Sequence, residues 1–241
     1  HRLIRRQRQM CIRDRMLLGK VTDTQDTTGT VLEEHPVEVT EEQVKEAVLS
    51  FTGEYMQVPP MYSALKVNGK KLCDLARAGV TVERQARPVQ IYSIEIIKME
   101  LPRVCMRVRC SKGTYIRTLC QDIGEKLSCG ACMESLLRTK VSEFCVQDAL
   151  RLSEIEERVQ KAAGQTQSEQ WNAEMFDFIY AVDSVFLQYK KAVICKEWNK
   201  LLYNGNRMKK DMFVSYQKDW EQQKVRIYDA VSYTHLTLPT N

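Results

Sequence analysis

The sequence predicts an α/β fold, α+β in strict usage: a mixed, mainly antiparallel sheet with flanking helices, followed by a small β-rich module. Two segments, 89–96 and 104–110, alternate apolar and polar residues as half-buried strands do. Only a short connection across Leu101-Pro102 separates them, which favours antiparallel pairing. Residues 116–127 then carry apolar side chains at helical spacing. Short strand-like runs return after residue 175.

A helix and a hairpin are predicted upstream of these strands. Thr40 and Gln43 form a capping-box pair, and the apolar stripe of the helix is Val44, Ala47, Val48 and Phe51. Pro59-Pro60 interrupts the chain. Asn68-Gly69, flanked by two short runs, is a hairpin-turn signal.

The junction between the second strand and its helix is the most informative local pattern. Lys112-Gly113-Thr114 turns the chain from strand into helix, and Tyr115 and Arg117 follow at once. Free backbone N–H groups, a lysine, a tyrosine hydroxyl and an arginine fork then meet at one sheet edge, which suits an anionic, planar ligand such as a nucleotide. An ordinary tight turn with solvated Lys112 and Arg117 is the alternative that the local pattern leaves open.

The C-terminal part is predicted to form a separate module. Ser153 is expected to cap a polar helix running to Ala163, and the polar, aperiodic stretch 164–174 is expected to be a linker. Residues 175–230 are interpreted as a small β-rich module with a turn at Asn204-Gly205-Asn206. Its strand-like runs are Phe176–Phe186, Ala192–Cys195, Met212–Tyr216 and Val225–Tyr228.

The charge is informative only through its distribution. Of 36 Lys and Arg and 31 Asp and Glu, residues 1–15 hold six Arg and one Asp, so the rest balance at 30 of each. Two basic runs flank the Lys112 turn and favour a groove that follows phosphates, although either run alone is typical of a solvated surface. These runs comprise Lys66, Lys70, Lys71, Arg77, Arg84 and Arg87, then Arg103, Arg107, Arg109, Lys112 and Arg117.

Composition restricts the class of protein. No apolar run approaches the ~20 residues that a membrane-spanning helix needs, and no export signal begins the chain, so we expect a cytoplasmic protein that does not bind membranes. The nine cysteines are then expected to be reduced thiols. Cys129 and Cys132 have C-x-x-C spacing without a second pair or a nearby histidine, which favours small core residues over a metal site.

Three blocks carry a family resemblance. They are Leu18-Gly19-Lys20-Val21-Thr22-Asp23-Thr24-Gln25-Asp26-Thr27-Thr28-Gly29, then Gln57-Val58-Pro59-Pro60-Met61-Tyr62-Ser63-Ala64-Leu65-Lys66-Val67-Asn68-Gly69-Lys70, and Ser111-Lys112-Gly113-Thr114-Tyr115-Ile116-Arg117-Thr118-Leu119. In this order and spacing they resemble the bacterial tRNA pseudouridine(55) synthases of the TruB class. The resemblance covers roughly residues 16–149. Beyond them it is loose, with a weak similarity to PUA-like RNA-binding modules.

The resemblance implies an isomerase that converts the T-loop uridine of tRNA to pseudouridine without a metal or redox cofactor. The target base is flipped out and its C1′–N1 bond is exchanged for C1′–C5. By motif, Tyr115 would stack on the uracil and take the C5 proton, Arg117 would pair with a nucleophilic aspartate, and Leu136 would pack on the ring. A half-buried tyrosine, an arginine covering a helix face and a core leucine are the structural alternatives.

The resemblance also implies where RNA would bind. We expect a monomer that holds the T-stem-loop of tRNA, with no metal. The residues expected to contact RNA are Lys66, Lys70, Lys71, Arg77, Lys112 and Arg138. A solvated hairpin surface is the alternative for these residues. Asp23 and Asp26 are expected to be hydrogen-bonding groups of a turn and not the nucleophile.

Two departures from the family pattern bear on activity. The Gly-Thr-Leu-Asp motif that carries the family's nucleophile is absent, and a second family tyrosine falls on Ile12. The chain is therefore interpreted as an N-terminally truncated fragment, inactive as given, in which residues 16–163 are part of the catalytic domain. Residues 1–15 and 231–241 resemble translated sequencing-adaptor sequence and are expected to be non-native. A non-catalytic tRNA-binding or RNA-folding module, and a globular interaction domain without an RNA role, stay open as alternatives.

Overall fold

The computed structural model describes residues 9–165, 176, 178–180, 182–215, 225–229 and 234–235. The chain divides into two compact units, residues 1–149 and 150–241. In the described part of the chain, no helix is long and apolar enough to cross a membrane.

The first unit alternates strands with three α-helices. Its strands are β1 (Met10–Leu18), β2 (Lys20–Thr22), β3 (Val31–Glu34), β4 (Gly53–Gln57), β5 (Lys66–Val67), β6 (Lys70–Lys71), β7 (Arg87–Glu100), β8 (Arg103–Cys110), β9 (Ala131–Val141) and β10 (Phe144–Cys145). Its helices are α1 (Glu41–Leu49), α2 (Leu72–Arg77) and α3 (Ile116–Lys126), with a 3-10 turn at Val146–Asp148. Six strands form one sheet in the order β10-β9-β1-β8-β7-β4.

The pairing of the central strands confirms the sequence prediction. Every pair in the six-stranded sheet is antiparallel, including β7 with β8 across Leu101-Pro102. In β8 the inward side chains are fully buried while the arginines between them face outward; the buried set is Val104, Met106, Val108 and Cys110. The alternation seen in the sequence therefore marks the core face of the sheet.

Helices α1 and α3 contribute to the core that lies against this sheet. Thr40 accepts a hydrogen bond from the Gln43 N–H, and Gln43 Oε1 accepts one from the Thr40 N–H at 2.8 Å, which confirms the predicted capping box. The buried residues that α1 and α3 add to the core include Val44, Val48, Ile116, Leu119 and Ile123. The predicted start of α3 is also confirmed.

The sheet begins earlier than the Met16 boundary predicted for the domain. Strand β1 starts at Met10 and lies between β8 and β9, so residues 10–15, set aside as non-native, occupy an inner strand. Ile12 and Met16 are buried as in other strands, but the inward position between them holds Asp14. An acid at a core position hides the alternation, and for this reason the sequence pattern missed the strand.

The hairpin prediction is confirmed. Strands β5 and β6 pair antiparallel around Asn68 and Gly69, whose φ angles of 50° and 81° are those of a tight hairpin turn. Two backbone hydrogen bonds join the outgoing segment to the residues before the hairpin: Leu72 N–H to Leu65 C=O at 2.8 Å and Cys73 N–H to Ser63 C=O at 3.0 Å. The hairpin is thus held to segment 61–65.

The second unit has a small sheet and its own core. Its elements are α4 (Leu152–Gln165), a 3-10 helix (Val182–Phe186), β11 (Lys190–Val193), a 3-10 helix (Lys196–Trp198), α5 (Asn199–Tyr203), a 3-10 helix (Lys210–Met212), β12 (Val225–Tyr228) and β13 (Thr234–His235). Strand β12 pairs parallel with β11 and antiparallel with β13. The core residues are Ala192, Ile194, Leu202, Met212, Val225 and Ile227.

Several details of this unit differ from the sequence prediction. Ser153 lies inside α4 and does not cap it; instead Glu154 accepts a hydrogen bond from the Arg151 N–H at 2.6 Å. Residues 182–186, predicted as part of a strand, form a 3-10 helix, because a short apolar run does not distinguish the two. Of the predicted linker, 164–165 continue α4 and 166–174 lie outside the described residues. Strand β13 falls within the segment predicted to be non-native.

Candidate active site

The turn before α3 is tied firmly to the sheet. Ser111 and Gln90 exchange two hydrogen bonds: the Ser111 N–H donates to Gln90 C=O at 2.8 Å, and the Gln90 N–H donates to Ser111 Oγ at 3.0 Å. Thr114 Oγ1 donates to Ser111 C=O at 2.9 Å, and Gly113 has a φ of 82°. The chain therefore leaves β8 and enters α3 in one fixed path.

Arg117 connects three parts of the chain that are distant in sequence. Its Nη1 donates to Thr24 C=O at 3.2 Å and to Asp26 Oδ2 at 3.1 Å, and its Nη2 donates to Tyr62 C=O at 2.8 Å. The side chains of the ion pair are largely buried, at 24% exposed for Arg117 and 14% for Asp26. The guanidinium thereby joins α3 to the loop after β2 and to the segment before the hairpin.

Asp26 is the most fully hydrogen-bonded acid of the site. Its Oδ1 accepts from Thr24 Oγ1 at 2.9 Å, from the Thr28 N–H at 3.0 Å and from Thr28 Oγ1 at 2.5 Å. Burial raises the pKa of Asp26, but the hydrogen bonds from Thr28, Thr24 and Arg117 outweigh it and lower the pKa below its usual range. Asp26 is therefore a fixed carboxylate.

The loop that carries Asp26 is a compact turn, as predicted for Asp23 and Asp26. Asp23 Oδ1 accepts from the Thr30 N–H at 2.8 Å. Gly29 lies so close that a Cβ at its position would come within 2.2 Å of Thr24 Oγ1 and 2.3 Å of Asp23 Oδ1. A side chain at Gly29 would thus displace the two residues that shape the turn.

The same loop is attached to the start of β9. The Thr27 N–H donates to Met133 C=O, and the Met133 N–H donates to Gln25 C=O, both at 3.0 Å. Thr118 Oγ1 donates to Gln25 Oε1 at 2.8 Å, which adds a contact to α3. Leu136 lies further along β9 and is 38% exposed. The loop is therefore joined to both α3 and β9.

Tyr115 is held by its backbone while its ring is half-buried. Gln57 Oε1 accepts from the Tyr115 N–H at 2.8 Å, and Gln57 Nε2 donates to Tyr115 C=O at 3.0 Å. No described residue hydrogen-bonds the Tyr115 hydroxyl. Tyr115 therefore lies at the N-cap of α3, with Arg117 in the first turn, and its phenol is free to meet a ligand.

The six predicted RNA-contacting residues are all exposed. Among the residues that the structure describes, none of their charged groups forms an ion pair; they are Lys66, Lys70, Lys71, Arg77, Lys112 and Arg138. Three of them lie on the β5–β6 hairpin, and Cys73 of α2, which follows the hairpin directly, donates a backbone hydrogen bond to Ser63 beside the Arg117-bound Tyr62. The basic hairpin is thus joined through the backbone to the site at α3.

The prediction that Cys129 and Cys132 are small core residues is confirmed. Cys129 and Cys132 are buried, at 4% and 0% exposed, near the start of β9, and burial raises the pKa of both thiols. The described residues include no group of His, Cys, Asp and Glu arranged to hold a metal ion.

Two features of the site were not predicted from the sequence. The Asp26–Arg117 ion pair joins residues far apart in the chain, and no local pattern reports such a contact. Gln57 lies within a block that carries the family resemblance, but nothing in its neighbourhood indicates that it would reach Tyr115.

Comparison with known proteins assigns the chain to a class of enzyme. The family models for the TruB family pseudouridylate synthase (N terminal domain) and the tRNA pseudouridylate synthase B C-terminal domain match residues 12–116 and 117–187. The chain belongs to the TruB family of pseudouridylate synthases, which are isomerases. The bacterial resemblance predicted from the motifs is confirmed.

Individual relatives support the same family assignment. The chain is 46% identical over 194 residues to tRNA pseudouridine synthase B of Lachnoclostridium phytofermentans, covering 76% of this chain and 59% of that protein. It is 40% identical over 218 residues to the Alkaliphilus oremlandii protein of the same name, covering 90% and 68%. A chain in the crystal structure of a Cbf5-Nop10-Gar1 complex has the same fold, with a TM-score of 0.62, 18% identity and coverage of 97% and 65%.

Proposed function

We propose that the whole protein to which this sequence belongs isomerises a uridine in the T-loop of tRNA to pseudouridine. The observation that carries the proposal is the placement of Tyr115 at the N-cap of α3 and of Arg117 in its first turn, in a chain of the TruB family. The relatives named tRNA pseudouridine synthase B support the choice of tRNA as substrate.

The proposed reaction needs only the polar groups of the site and one nucleophile. The C1′–N1 bond of a flipped-out uridine breaks, the uracil turns, and a C1′–C5 bond forms. The proton at C5 leaves and N1 gains one, so the product is an isomer of the substrate. In this proposal Tyr115 stacks on the uracil and accepts the C5 proton, while Leu136 packs against the ring.

Arg117 is proposed to fix the nucleophilic carboxylate in its charged form. A guanidinium presents a planar fork to a carboxylate and favours the ionised state. In this chain Arg117 binds Oδ2 of Asp26, and the other oxygen, Oδ1, accepts hydrogen bonds from Thr24 and Thr28. Asp14 is only 1% exposed. Neither acid suits attack on C1′, and the Gly-Thr-Leu-Asp motif is absent.

We therefore propose that the chain as given binds tRNA without isomerising it. The β5–β6 hairpin, α2 and the Lys112 turn would hold the T-stem-loop by its phosphates. The second candidate is a non-catalytic tRNA-binding or RNA-folding module. The observation that favours it is that the carboxylate partner of Arg117 is Asp26, an aspartate that stabilises a turn.

Tritium release from a T-stem-loop RNA carrying 5-tritiated uridine tests the proposal, with binding measured in parallel. We expect binding without release for this chain. Release would contradict the missing nucleophile, and failure to bind at low salt would contradict the RNA-binding role.

A chimera separates the enzyme from the second candidate. Adding the region with the Gly-Thr-Leu-Asp motif from the Lachnoclostridium phytofermentans relative should restore release, and mutating the motif's Asp to Asn in that chimera is the control. A folded chimera that binds the RNA and still releases no tritium would favour the non-catalytic module.

A further inference from the structure

We propose that Gln57 is a positioning residue that fixes the backbone of Tyr115 and so directs its ring at the target base. The inference rests on the proposed function, because Tyr115 needs a defined orientation only if it meets a base. Gln57 is the last residue of β4, an edge strand of the sheet, and Tyr115 precedes α3.

One side chain engages both hydrogen-bonding groups of the Tyr115 backbone. The 2.8 Å bond from the Tyr115 N–H and the 3.0 Å bond to its C=O place the Gln57 amide alongside residue 115 like a neighbouring strand. The same C=O also accepts from the Leu119 N–H at 3.0 Å, which is the first hydrogen bond of α3. The extended conformation of Tyr115, with φ −97° and ψ 107°, is thereby fixed.

Gln57 is buried and its amide is fully used. The residue is 1% exposed, which is rare for glutamine unless its polar atoms are paired. The Nε2 group donates one hydrogen to Tyr115 C=O and the other to the Tyr55 hydroxyl, while Oε1 accepts from the Tyr115 N–H. A satisfied polar group in a dry core specifies one geometry.

The contrast within Tyr115 indicates what this geometry is for. The residue occupies the N-cap position of α3 but supplies no side-chain cap, unlike Thr40 at α1. Its backbone is fixed by Gln57 instead, and its half-buried ring makes no hydrogen bond to any described residue. The hydrogen bonds that fix Tyr115 therefore involve its backbone and leave its phenol available to a ligand, as an active-site residue requires.

The chemistry of the contact demands an amide at position 57. Gln57→Met keeps the approximate shape but leaves a buried N–H and C=O with fewer partners. Gln57→Glu keeps the acceptor but, when ionised, turns a repulsive oxygen toward Tyr115 C=O. A protonated glutamic acid has one donor and one acceptor and can restore the pair.

The first measurement is the rate of amide hydrogen exchange at Tyr115. NMR monitors this rate in the 15N-tyrosine-labelled chain without RNA. We expect Gln57→Met to accelerate exchange at Tyr115 about tenfold or more, the size expected when a buried hydrogen bond is lost. Gln57→Glu should show fast exchange at pH 8, relative to the intrinsic rate, and protection close to that of the unmodified chain at pH 5. Unchanged protection in both variants would overturn the proposal.

The second measurement reports whether the Tyr115 ring stacks on the target base. A T-stem-loop RNA carrying 13C-methyl-labelled 5-methyluridine at the target position reports stacking through the ring-current shift of its methyl group, and Tyr115→Leu sets the value without stacking. We expect Gln57→Met to lose at least half of the shift while the Kd for RNA changes less than about threefold, since phosphate contacts dominate affinity. For Gln57→Glu, the shift should return at pH 5.

Controls separate positioning from general stability. Tyr55→Phe removes only the second partner of Nε2 and should leave Tyr115 exchange and the methyl shift unchanged. Gln121→Ala removes a glutamine amide that binds Glu125 on α3 and should also have no effect. A full methyl shift in Gln57→Met would overturn the proposal. Absence of any shift in the unmodified chain would count against the proposed function, while the exchange rates still decide whether Gln57 fixes Tyr115.

Discussion

At the scale of single residues, Arg117 contributes most to the geometry of the site. We expect Arg117→Lys to lower the free energy of unfolding by about 1–3 kcal/mol, because an ammonium group cannot reach three oxygens with the arrangement of the guanidinium fork. Urea denaturation of the chain measures this loss.

The matched control for this substitution is Arg107→Lys. Arg107 also pairs with an acid, Glu95, but both side chains are about half exposed or more, at 47% and 61%. An exposed pair contributes little, so we expect a change below about 0.5 kcal/mol. Equal losses in the two variants would show that the burial of the Arg117 contacts does not matter.

Asp14 predicts a pH dependence of stability. Burial raises its pKa to about 7 from 3.8, and its Oδ1 has no hydrogen-bond partner, while Oδ2 accepts from the Cys120 thiol at 3.1 Å. The folded state thus holds a proton that the unfolded state releases at lower pH. The contribution of Asp14 to the free energy of unfolding is therefore complete below pH 3.8 and is lost as the pH rises to about 7.

The Asp14→Asn variant isolates this contribution. Urea denaturation at pH 5 and at pH 8 gives the free energy of unfolding of each protein. We expect this free energy to fall less between pH 5 and pH 8 in the variant than in the unmodified chain. Asp122, whose pKa burial also raises to about 6, titrates in both proteins and cancels in the comparison. A pH profile unaffected by the substitution would show that Asp14 is hydrated in solution.

Asp14 also shows why residue-level reasoning fails in places. The prediction of strands relied on alternating hydrophobicity, and one acid between Ile12 and Met16 removed that signal from an inner strand. The roles proposed for Tyr115 and Arg117 come from the resemblance of one contiguous motif. Gln57 and Asp26 act through contacts between distant segments, which only the folded chain brings together.

At the scale of elements, the packing of α3 on β9 depends on one glycine. A Cβ at Gly124 would lie 2.2 Å from the Ala131 N atom and 2.4 Å from the Gly130 carbonyl carbon, so backbone would have to move. We expect Gly124→Ala to lower the unfolding free energy by about 1–3 kcal/mol, although alanine favours helices.

Glu125→Ala serves as the comparison, since Glu125 is the next residue of α3 and is exposed. Its effect on chemical denaturation should stay within about 0.5 kcal/mol. A stabilised Gly124→Ala protein would mean that α3 and β9 do not approach so closely.

The β5–β6 hairpin predicts how RNA binding responds to salt. Lys70→Ala should weaken binding to a T-stem-loop RNA and reduce the slope of log Kd against log salt by about 0.7–0.9, the value for one lost phosphate contact. Lys45→Ala, an exposed lysine of α1, should leave the slope unchanged. Fluorescence anisotropy between low and moderate salt measures both, and equal slopes for all three proteins would remove the hairpin from the RNA interface.

Elements with strong local signals were predicted well from the sequence. The capping box of α1, the turn of β5–β6 and the alternation of β8 are local, so short patterns determine them. Residues 182–186 were predicted as a strand and form a 3-10 helix, because a short apolar run fits either structure.

At the scale of the whole molecule, part of one sheet edge has no strand partner among the described residues. Strand β10 pairs there with Val141 and Lys140 of β9, and Leu137 and Phe144 at this edge are 46% and 57% exposed. An unpaired edge with apolar side chains favours association between chains. We therefore expect low solubility and association that increases with concentration.

Leu137→Lys tests this expectation by placing a charge on the edge. The soluble fraction after expression should rise and the sedimentation coefficient should become independent of concentration. Val80→Lys is the control, because Val80 is similarly exposed at 45% but lies outside the strands. An equal gain from both variants would assign the effect to net charge and not to the sheet edge.

The way in which Arg117 binds its partners also constrains how the site can change during evolution. Thr24 and Tyr62 offer backbone carbonyls, which every amino acid possesses, so the arginine contacts do not themselves require a particular side chain at these positions. Asp26 contributes its side-chain carboxylate, and replacing it would leave the buried guanidinium of Arg117 without its anionic partner. Positions 26 and 117 should therefore be inherited as a pair, while positions 24 and 62 drift with respect to this contact.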